Sequence, residues 1–246
     1  MRESSHVRIL LAGDTHGSEK QAKYLQRVAN DLACELIIVV GDFGYLWCGT
    51  NKAHMWRIGK PEFHKDVWFL PGNHEDYPQL EAVGAGNEVA ERVKYLGRVS
   101  RFEVDGVNFL TVGGGVSVDR GRRAQGIDWF PQETISEADI HAACEGGPVD
   151  VILSHDAPPT TTLEDMLDRF TGVHPKLVGD SLQNRLAVDT IIRETQPRAL
   201  YHGHYHLRYT AVHDTGTLVQ GLNCNGTGTE SWTMIDTERL ANSSQE

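Results

Sequence analysis

Short unbroken apolar runs alternate with stretches of helical spacing, and this alternation predicts most of the elements. Residues 7–12, Leu36–Val40 and 67–70 are apolar on both faces, as strands buried from two sides must be. Between the first two, residues 18–33 place Ala22, Leu25, Val28, Ala29 and Leu32 on one helical stripe, with Ser18 positioned to cap it. The strand–loop–helix rhythm predicts an α/β layered fold with function on the loops that follow the strands. The middle of the chain changes character. Residues 93–96, 102–104 and Val107–Val112 are short and separated by turn signals such as Asp105-Gly106, which predicts hairpins. A further strand is expected over 149–153 and a helix over 181–195, with 159–179 as a surface excursion between them. Strands over 207–212, 217–222 and 232–235 follow, and the polar residues 236–246 are expected to fray.

Five of these strands run into polar residues of one chemical kind. The first ends at Gly13-Asp14-Thr15-His16-Gly17, the second at Gly41-Asp42-Phe43-Gly44, the third at Pro71-Gly72-Asn73-His74-Glu75. Later come Ser154-His155-Asp156 and His202-Gly203-His204-Tyr205-His206. Two histidines separated by one residue at a strand end can point the same way, because side chains alternate with a period of two. Each segment alone has an ordinary structural use, as a turn or a helix cap. Five at the mouths of the same kind of sheet call for a shared ligand, and Asp14, His16, Asp42, Asn73, His155, His204 and His206 are its candidate donors.

Composition narrows the setting. A chain of 246 residues suits one sizeable core, so residues 1–246 are read as one domain with a polar tail from about 237. With 39% hydrophobic and 23% charged residues and no apolar run of membrane length, neither a membrane span nor a disordered chain is expected. The start, Met1-Arg2-Glu3-Ser4-Ser5, lacks the apolar segment of a signal peptide, which predicts a cytoplasmic location. Cys34, Cys48, Cys144 and Cys224 show no C-x-x-C spacing, which argues against a thiolate zinc site. A net charge of −11 discourages non-specific nucleic-acid binding, yet allows a phosphorylated ligand at a locally positive site.

In order along the chain, Asp14-Thr15-His16, Gly41-Asp42, Gly72-Asn73-His74-Glu75, His155 and Gly203-His204-Tyr205-His206 resemble the D-x-H, G-D, G-N-H-[ED], H and G-H-x-H motifs of the calcineurin-like metallophosphoesterases. The resemblance implies a four-layer α-β-β-α sandwich with a two-metal centre at the strand ends. It implies that Asp14, His16 and His206 hold one metal and Asn73, His155 and His204 the other, with Asp42 bridging. The mixed imidazole, amide and carboxylate donors suit Mn, Fe, Zn or Co better than Mg, and Mn is favoured. Two such ions about 3.5–4 Å apart activate a shared water for in-line attack on phosphorus. His74 is not needed as a ligand and is free to protonate the departing oxygen.

One departure matters. Many members continue the second motif as G-D-x-x-D-R, whereas Gly41-Asp42-Phe43-Gly44 continues as Tyr45-Leu46. The aspartate that would support the general-acid histidine and the arginine that would grip phosphate are both missing, which speaks against a phosphoprotein phosphatase of the calcineurin type proper. Arg120, Arg122 and Arg123, just after Gly113-Gly114-Gly115, are the candidate replacements, with Arg101 as another. Trp47, Trp129 and Phe130 are candidate stacking surfaces for a nucleobase. The expected function is metal-dependent hydrolysis of a phosphomonoester or phosphodiester, on a small molecule, a nucleotide or a phosphoprotein. The alternative is a metal-binding interaction scaffold of the same fold, and retention of all seven donors and of His74 weighs against it.

Overall fold

The apolar runs become strands because each is covered on both faces. The computed structural model describes residues 6–45, 62–167 and 174–242. The chain begins with β1 (Arg8–Ala12), α1 (Glu19–Asp31), β2 (Leu36–Val40), β3 (Asp66–Leu70) and α2 (Tyr77–Val83). Four shorter or hairpin strands follow, β4 (Glu88–Ala90), β5 (Val93–Tyr95), β6 (Val99–Val104) and β7 (Val107–Val112). Next come α3 (Glu137–Glu145), β8 (Val151–Ser154), α4 (Thr161–Leu167), α5 (Pro175–Thr195) and β9 (Ala199–His202). The last elements are β10 (Tyr209–Val212), β11 (Leu218–Gly221), β12 (Trp232–Asp236) and α6 (Thr237–Asn242).

The strands form two mixed sheets of six. One has the order β12-β1-β2-β3-β5-β4, the other β10-β11-β9-β8-β7-β6. Alternation along each strand divides its side chains between two layers. Ile9, Leu11, Leu36, Ile38, Val40 and Leu70 of the first sheet share a core with Phe109, Val151, Leu153 and Tyr201 of the second. The alternate residues Leu10, Ala12, Ile37, Val39 and Phe69 face outward onto Leu25, Val28 and Ala29 of α1 and Leu80 of α2. On the far side, Leu110, Ile152 and Leu200 pack under Val188, Ile191 and Ile192 of α5. The result is the expected α-β-β-α sandwich, and it explains why the central strands carry no polar face.

Some boundaries differ from the sequence pattern. The excursion expected over 159–179 contains α4 and the first turn of α5, which starts at Pro175 rather than near 181. Pro175 takes the first helical position, where no N–H is needed, and His174 caps the turn by accepting from Lys176 N. The tail forms α6 instead of fraying at once. Thr237 is buried, and its hydroxyl donates to the Asp105 carboxylate at 2.7 Å. α3 has a stripe too weak to announce it, but it starts at a capping box of Ser136 and Asp139.

Phe109 sits at the centre of the inter-sheet core, fully buried and stacked on Phe102 with centroids 5.1 Å apart. Phe109→Ala should cost about 3–5 kcal/mol in urea unfolding, the range for large-to-small changes in a rigid core. A cost below about 1 kcal/mol would mean that the two sheets can close over the gap.

Candidate metal centre

The candidate donors lie on five loops, and each loop leaves the carboxyl end of a strand. Asp14 and His16 follow β1, Asp42 follows β2 and Asn73 follows β3, while His155 follows β8 and His204 and His206 follow β9. β1, β2 and β3 run parallel in one sheet, as β8 and β9 do in the other. Parallel strands end at one edge, so the donors meet without any long excursion of chain.

Backbone contacts lock these loops together. His16 N donates to Asp42 O at 2.8 Å, and Gly17 N donates to Phe43 O at 2.9 Å. A Cβ on Gly41 would stand 2.1 Å from His155 Nδ1, and one on Gly203 would stand 2.1 Å from Asp14 Oδ1, so neither position admits a side chain. Among the described residues, eight non-glycine residues have positive φ, and four of them are candidate donors: His16 at 46°, Asp42 at 48°, His204 at 69° and His206 at 52°. Each left-handed residue of this kind costs about 1–3 kcal/mol and persists only where its surroundings over-determine it. The strain is concentrated where the donors converge.

Asp14 is fully buried, with Oδ2 2.9 Å from His206 Nε2 and 3.9 Å from His16 Nε2. Its Oδ1 accepts the His204 N–H at 3.0 Å. Asp42 is equally buried, with Oδ2 3.4 Å from His16 Nε2 and Oδ1 3.5 Å from His155 Nε2. Two sets of ligand atoms, Asp14–His16–His206 and Asp14–Asp42–His155, each fall within 4.8 Å of one another. Asn73 joins the second set, its Oδ1 2.9 Å from His155 Nε2, and the His204 ring stands 5.0 Å from that of His155. A third cluster, Asp189, His213 and Asp214, is elsewhere, and Arg193 already donates to both of its carboxylates.

The donor chemistry fits a divalent cation. His155 Nδ1 lies 3.0 Å from the Val40 carbonyl, which can only accept, so the proton of a neutral ring sits on Nδ1. Nε2 then presents a lone pair to Asn73 Oδ1 and Asp42 Oδ1, oxygens that have nothing to donate. His16 repeats the arrangement, with Nδ1 3.0 Å from Asn225 Oδ1 and Nε2 facing the Asp42 and Asp14 carboxylates. Lone pairs opposed in this way repel unless a cation or an added proton lies between them.

Protons can take that place. Burial pushes the His16 imidazole down, but the hydrogen bond and charge of Asp42 outweigh it and raise the group to about 9. The hydrogen bond to Asp14, helped by one to Cys224, raises His206 to about 10. Burial acts to raise Asp42, yet the facing His155, His74 and His16 hold it well below the usual carboxylate range. Burial also pushes His74 down, with the Asp42 charge in partial opposition.

His74 is half-buried and belongs to neither donor set, its ring 5.9 Å from His16. The candidate arginines are not brought together as one clamp. Arg123 is buried behind Asn73, donating to its carbonyl at 3.2 Å and pairing with Glu133 at 3.2 Å. Arg120 pairs with Asp180 and lies over the Trp129 ring at 5.9 Å, whereas Arg122 is exposed. Arg101 donates to Ala143 O and Gly147 O at 2.7 and 2.6 Å, away from the donors. Gly115 does approach the centre, close against His204 and His155. Phe130 is a core residue beside Tyr77, which corrects the expectation of a stacking surface, and Trp47 lies outside the described residues.

Several residues at the site escape the sequence pattern. Asn225 orients His16, and Ser117 receives the Asn73 amide at 2.9 Å. Tyr205 donates to Asp156 at 2.6 Å, and Asn184 of α5 donates to the same carboxylate at 2.6 Å, which pins the loop between His204 and His206. Asn225 and Asp156 each lie a few residues past a strand end, the same signal that marks the donors.

A family model described as calcineurin-like phosphoesterase matches residues 7–208. The lariat debranching enzyme of Schizosaccharomyces pombe is 26% identical over 185 residues, which cover 70% of this chain and 38% of that relative's length. A crystal structure from Thermus thermophilus superposes with a TM-score of 0.54 at 13% identity, covering 94% of this chain and 99% of the other. A dimetal phosphatase from Danio rerio gives 0.51 at 14% identity, covering 89% and 87%. At these identities the two structures share the fold with this chain.

The raised imidazoles predict a pH dependence for the chelator-treated protein. His16 and His206 sit above their ordinary value of 6.5, at about 9 and about 10. Their contribution to stability is therefore complete below about pH 6.5 and lost as pH rises through about 9–10. The melting temperature should fall over that window, while the affinity for Mn²⁺ climbs because metal competes with the same protons. A His206→Gln protein with an unchanged fall in melting temperature would remove His206 from the account.

Proposed function

Because the chain belongs to the calcineurin-like phosphoesterase family, we propose that it is a metal-dependent phosphoesterase with a two-metal centre and a preference for phosphodiesters. The observation that carries this reading is the Asp42 carboxylate, which turns one oxygen to His16 and the other to His155. Asp14 is common to both close sets of ligand atoms, but it is Asp42 whose two oxygens face histidines from opposite sheets, as a bridging ligand requires. Asp14, His16 and His206 would hold one ion, and Asn73, His155 and His204 the other. Divalent cations bound there supply an activated water at neutral pH and neutralise the charge that develops on the phosphoryl group.

The chain's own residues do the rest. The buried donors would hold the ions on short loops at one edge of the two sheets. His74 stays outside both donor sets, and its backbone N–H is tied to Asp42 Oδ1 at 2.7 Å. From that position its ring holds a proton for the leaving oxygen as the phosphorus–oxygen bond breaks. No covalent enzyme intermediate is needed.

Charge favours a diester. Asp14 and Asp42 are the only carboxylates among the seven donors, which leaves about +2 against a pair of divalent cations. With His74 neutral, an attacking hydroxide and a diester monoanion bring the count to about zero and a monoester dianion to about −1. The proton that His74 holds raises each by about one, so a diester leaves the more positive centre in either state. A further cation would correct that imbalance, but Arg123 and Arg120 are already paired with Glu133 and Asp180. The acidic chain, at −11, further favours a small diester over a long nucleic acid.

Elemental analysis of the purified protein should find about two ions per chain, and exhaustive chelation should abolish turnover. Asp42→Ala should lose more metal than His16→Ala or Asn73→Ala, since it would serve both ions. Full activity in the chelated protein would sink the reading.

The wild-type protein should show a higher kcat/KM for bis(p-nitrophenyl) phosphate than for p-nitrophenyl phosphate. His74→Asn should slow alkyl diesters by about 10²–10⁴-fold while sparing nitrophenyl esters, whose leaving groups need no proton. Equal losses on both, at unchanged metal content, would give His74 another role.

A further inference from the structure

An amide ligand has a problem that a carboxylate lacks. Its oxygen can bind a cation and its NH₂ cannot, and the two ends are nearly the same shape. Asn73 is buried at 3% exposure, and its Oδ1 is the end that faces His155 Nε2 at 2.9 Å. Something must choose that end over the other.

The choice can be read from the groups behind it. Asn73 Nδ2 donates to Ser117 Oγ at 2.9 Å, and Ser117 is buried at 2%. The Ser117 hydroxyl has one proton, and that proton is donated to Glu133 in its carboxylate form. Burial pushes the Glu133 carboxyl up to about 8, and the Arg123 charge opposes the rise. Arg123 Nη1 donates to the same Ser117 oxygen. With its proton committed to Glu133 and one lone pair held by Arg123, Ser117 can offer Asn73 only its remaining lone pair. Only the NH₂ end of Asn73 satisfies that lone pair, so Oδ1 is driven toward the metal position.

The carboxylate at the origin of the chain of bonds is itself fixed. Glu133 is buried at 1%, and its Oε1 accepts from Phe130 N at 3.1 Å and from Arg123 Nη2 at 3.2 Å. Arg123 closes the circuit by donating to the Asn73 carbonyl at 3.2 Å, which anchors the backbone of the residue whose side chain is being oriented. Two charges, one hydroxyl and one amide thus form a closed ring of donors facing acceptors.

We propose that Ser117, Glu133 and Arg123 are positioning residues that set the polarity of the Asn73 amide, presenting Oδ1 rather than NH₂ to a cation at the second metal position. The proposal rests on the two-metal reading. It assigns a role to Arg123 that is not contact with phosphate.

The test is a double-mutant cycle read by Mn²⁺ binding, using isothermal titration calorimetry with elemental analysis of the full chain. Ser117→Ala should weaken the second Mn²⁺ about tenfold or more, the scale of a lost outer hydrogen-bond partner. Ser117→Thr keeps the hydroxyl and should restore most of the affinity. The Asn73→Asp protein offers oxygen at both ends, so in that background Ser117→Ala should cost less than about threefold. Equal losses from Ser117→Ala with and without Asn73→Asp would mean that Ser117 acts by packing alone, and would overturn the relay. So would a Ser117→Ala protein that binds both ions as the wild type does. A wild-type chain that binds no Mn²⁺ would instead refute the two-metal reading, which separates the two failures.

Discussion

The structure depends most on one buried carboxylate. Asp42 is 1% exposed and faces imidazoles from two loops of opposite sheets. Taking a carboxylate out of water costs several kcal/mol unless its partners compensate, and here the partners are imidazoles and a backbone N–H. The same residue holds the loop geometry, because the Asp42 carbonyl receives His16 N and its side chain receives His74 N. The contacts that bring three loops together are therefore the contacts that fix the charge pattern. Loosening these contacts would loosen the edges of both sheets as well.

The sheets supply what such a site needs, which is rigid support for strained backbone. The left-handed conformations at His16, Asp42, His204 and His206 would not persist at the ends of isolated hairpins. They persist here because each follows a strand that has a parallel neighbour and is covered on both faces. The inter-sheet core and the two helix-covered outer layers fix the strand ends, and the strand ends fix the donors. Glycine at 41 and 203 then allows the donor loops to approach to a distance that no side chain would permit.

What is legible in the sequence follows from this division. The buried strands are short local runs, and polar residues at their ends stand out against them, so the seven candidate donors and the layered α/β character can be read directly. The supports are not local. Ser117 and Glu133 come from the loop between β7 and α3, and nothing in their spacing connects them to Asn73 more than forty residues earlier. Arg123 reads as a phosphate ligand because arginine after a glycine run resembles an anion site, yet the nearest anion is Glu133 of its own loop. The first turn of α5 escapes the pattern for another reason. It is exposed and weakly amphipathic, with Val178 and Leu182 open to water, so no apolar stripe announces it.

The arginines also bear on how an acidic protein can present a positive centre. Positive charge for a phosphate can come from side chains or from bound ions, and here two of the three arginines of the loop beside the donors, Arg120 and Arg123, are paired with carboxylates. Arg123 meets Glu133 and Arg120 meets Asp180, so each adds rigidity to the centre's surroundings and little field within it. On the proposed function, the attraction for substrate would then rise and fall with metal occupancy. In the two-metal reading proposed above, such a centre would attract anions only when loaded, and would then hold a single negative charge more readily than two. On that reading discrimination between phosphate classes would lie in the donor count itself, where two carboxylates among seven candidate ligands set the residual charge, and a third carboxylate in place of Asn73 would shift it by one.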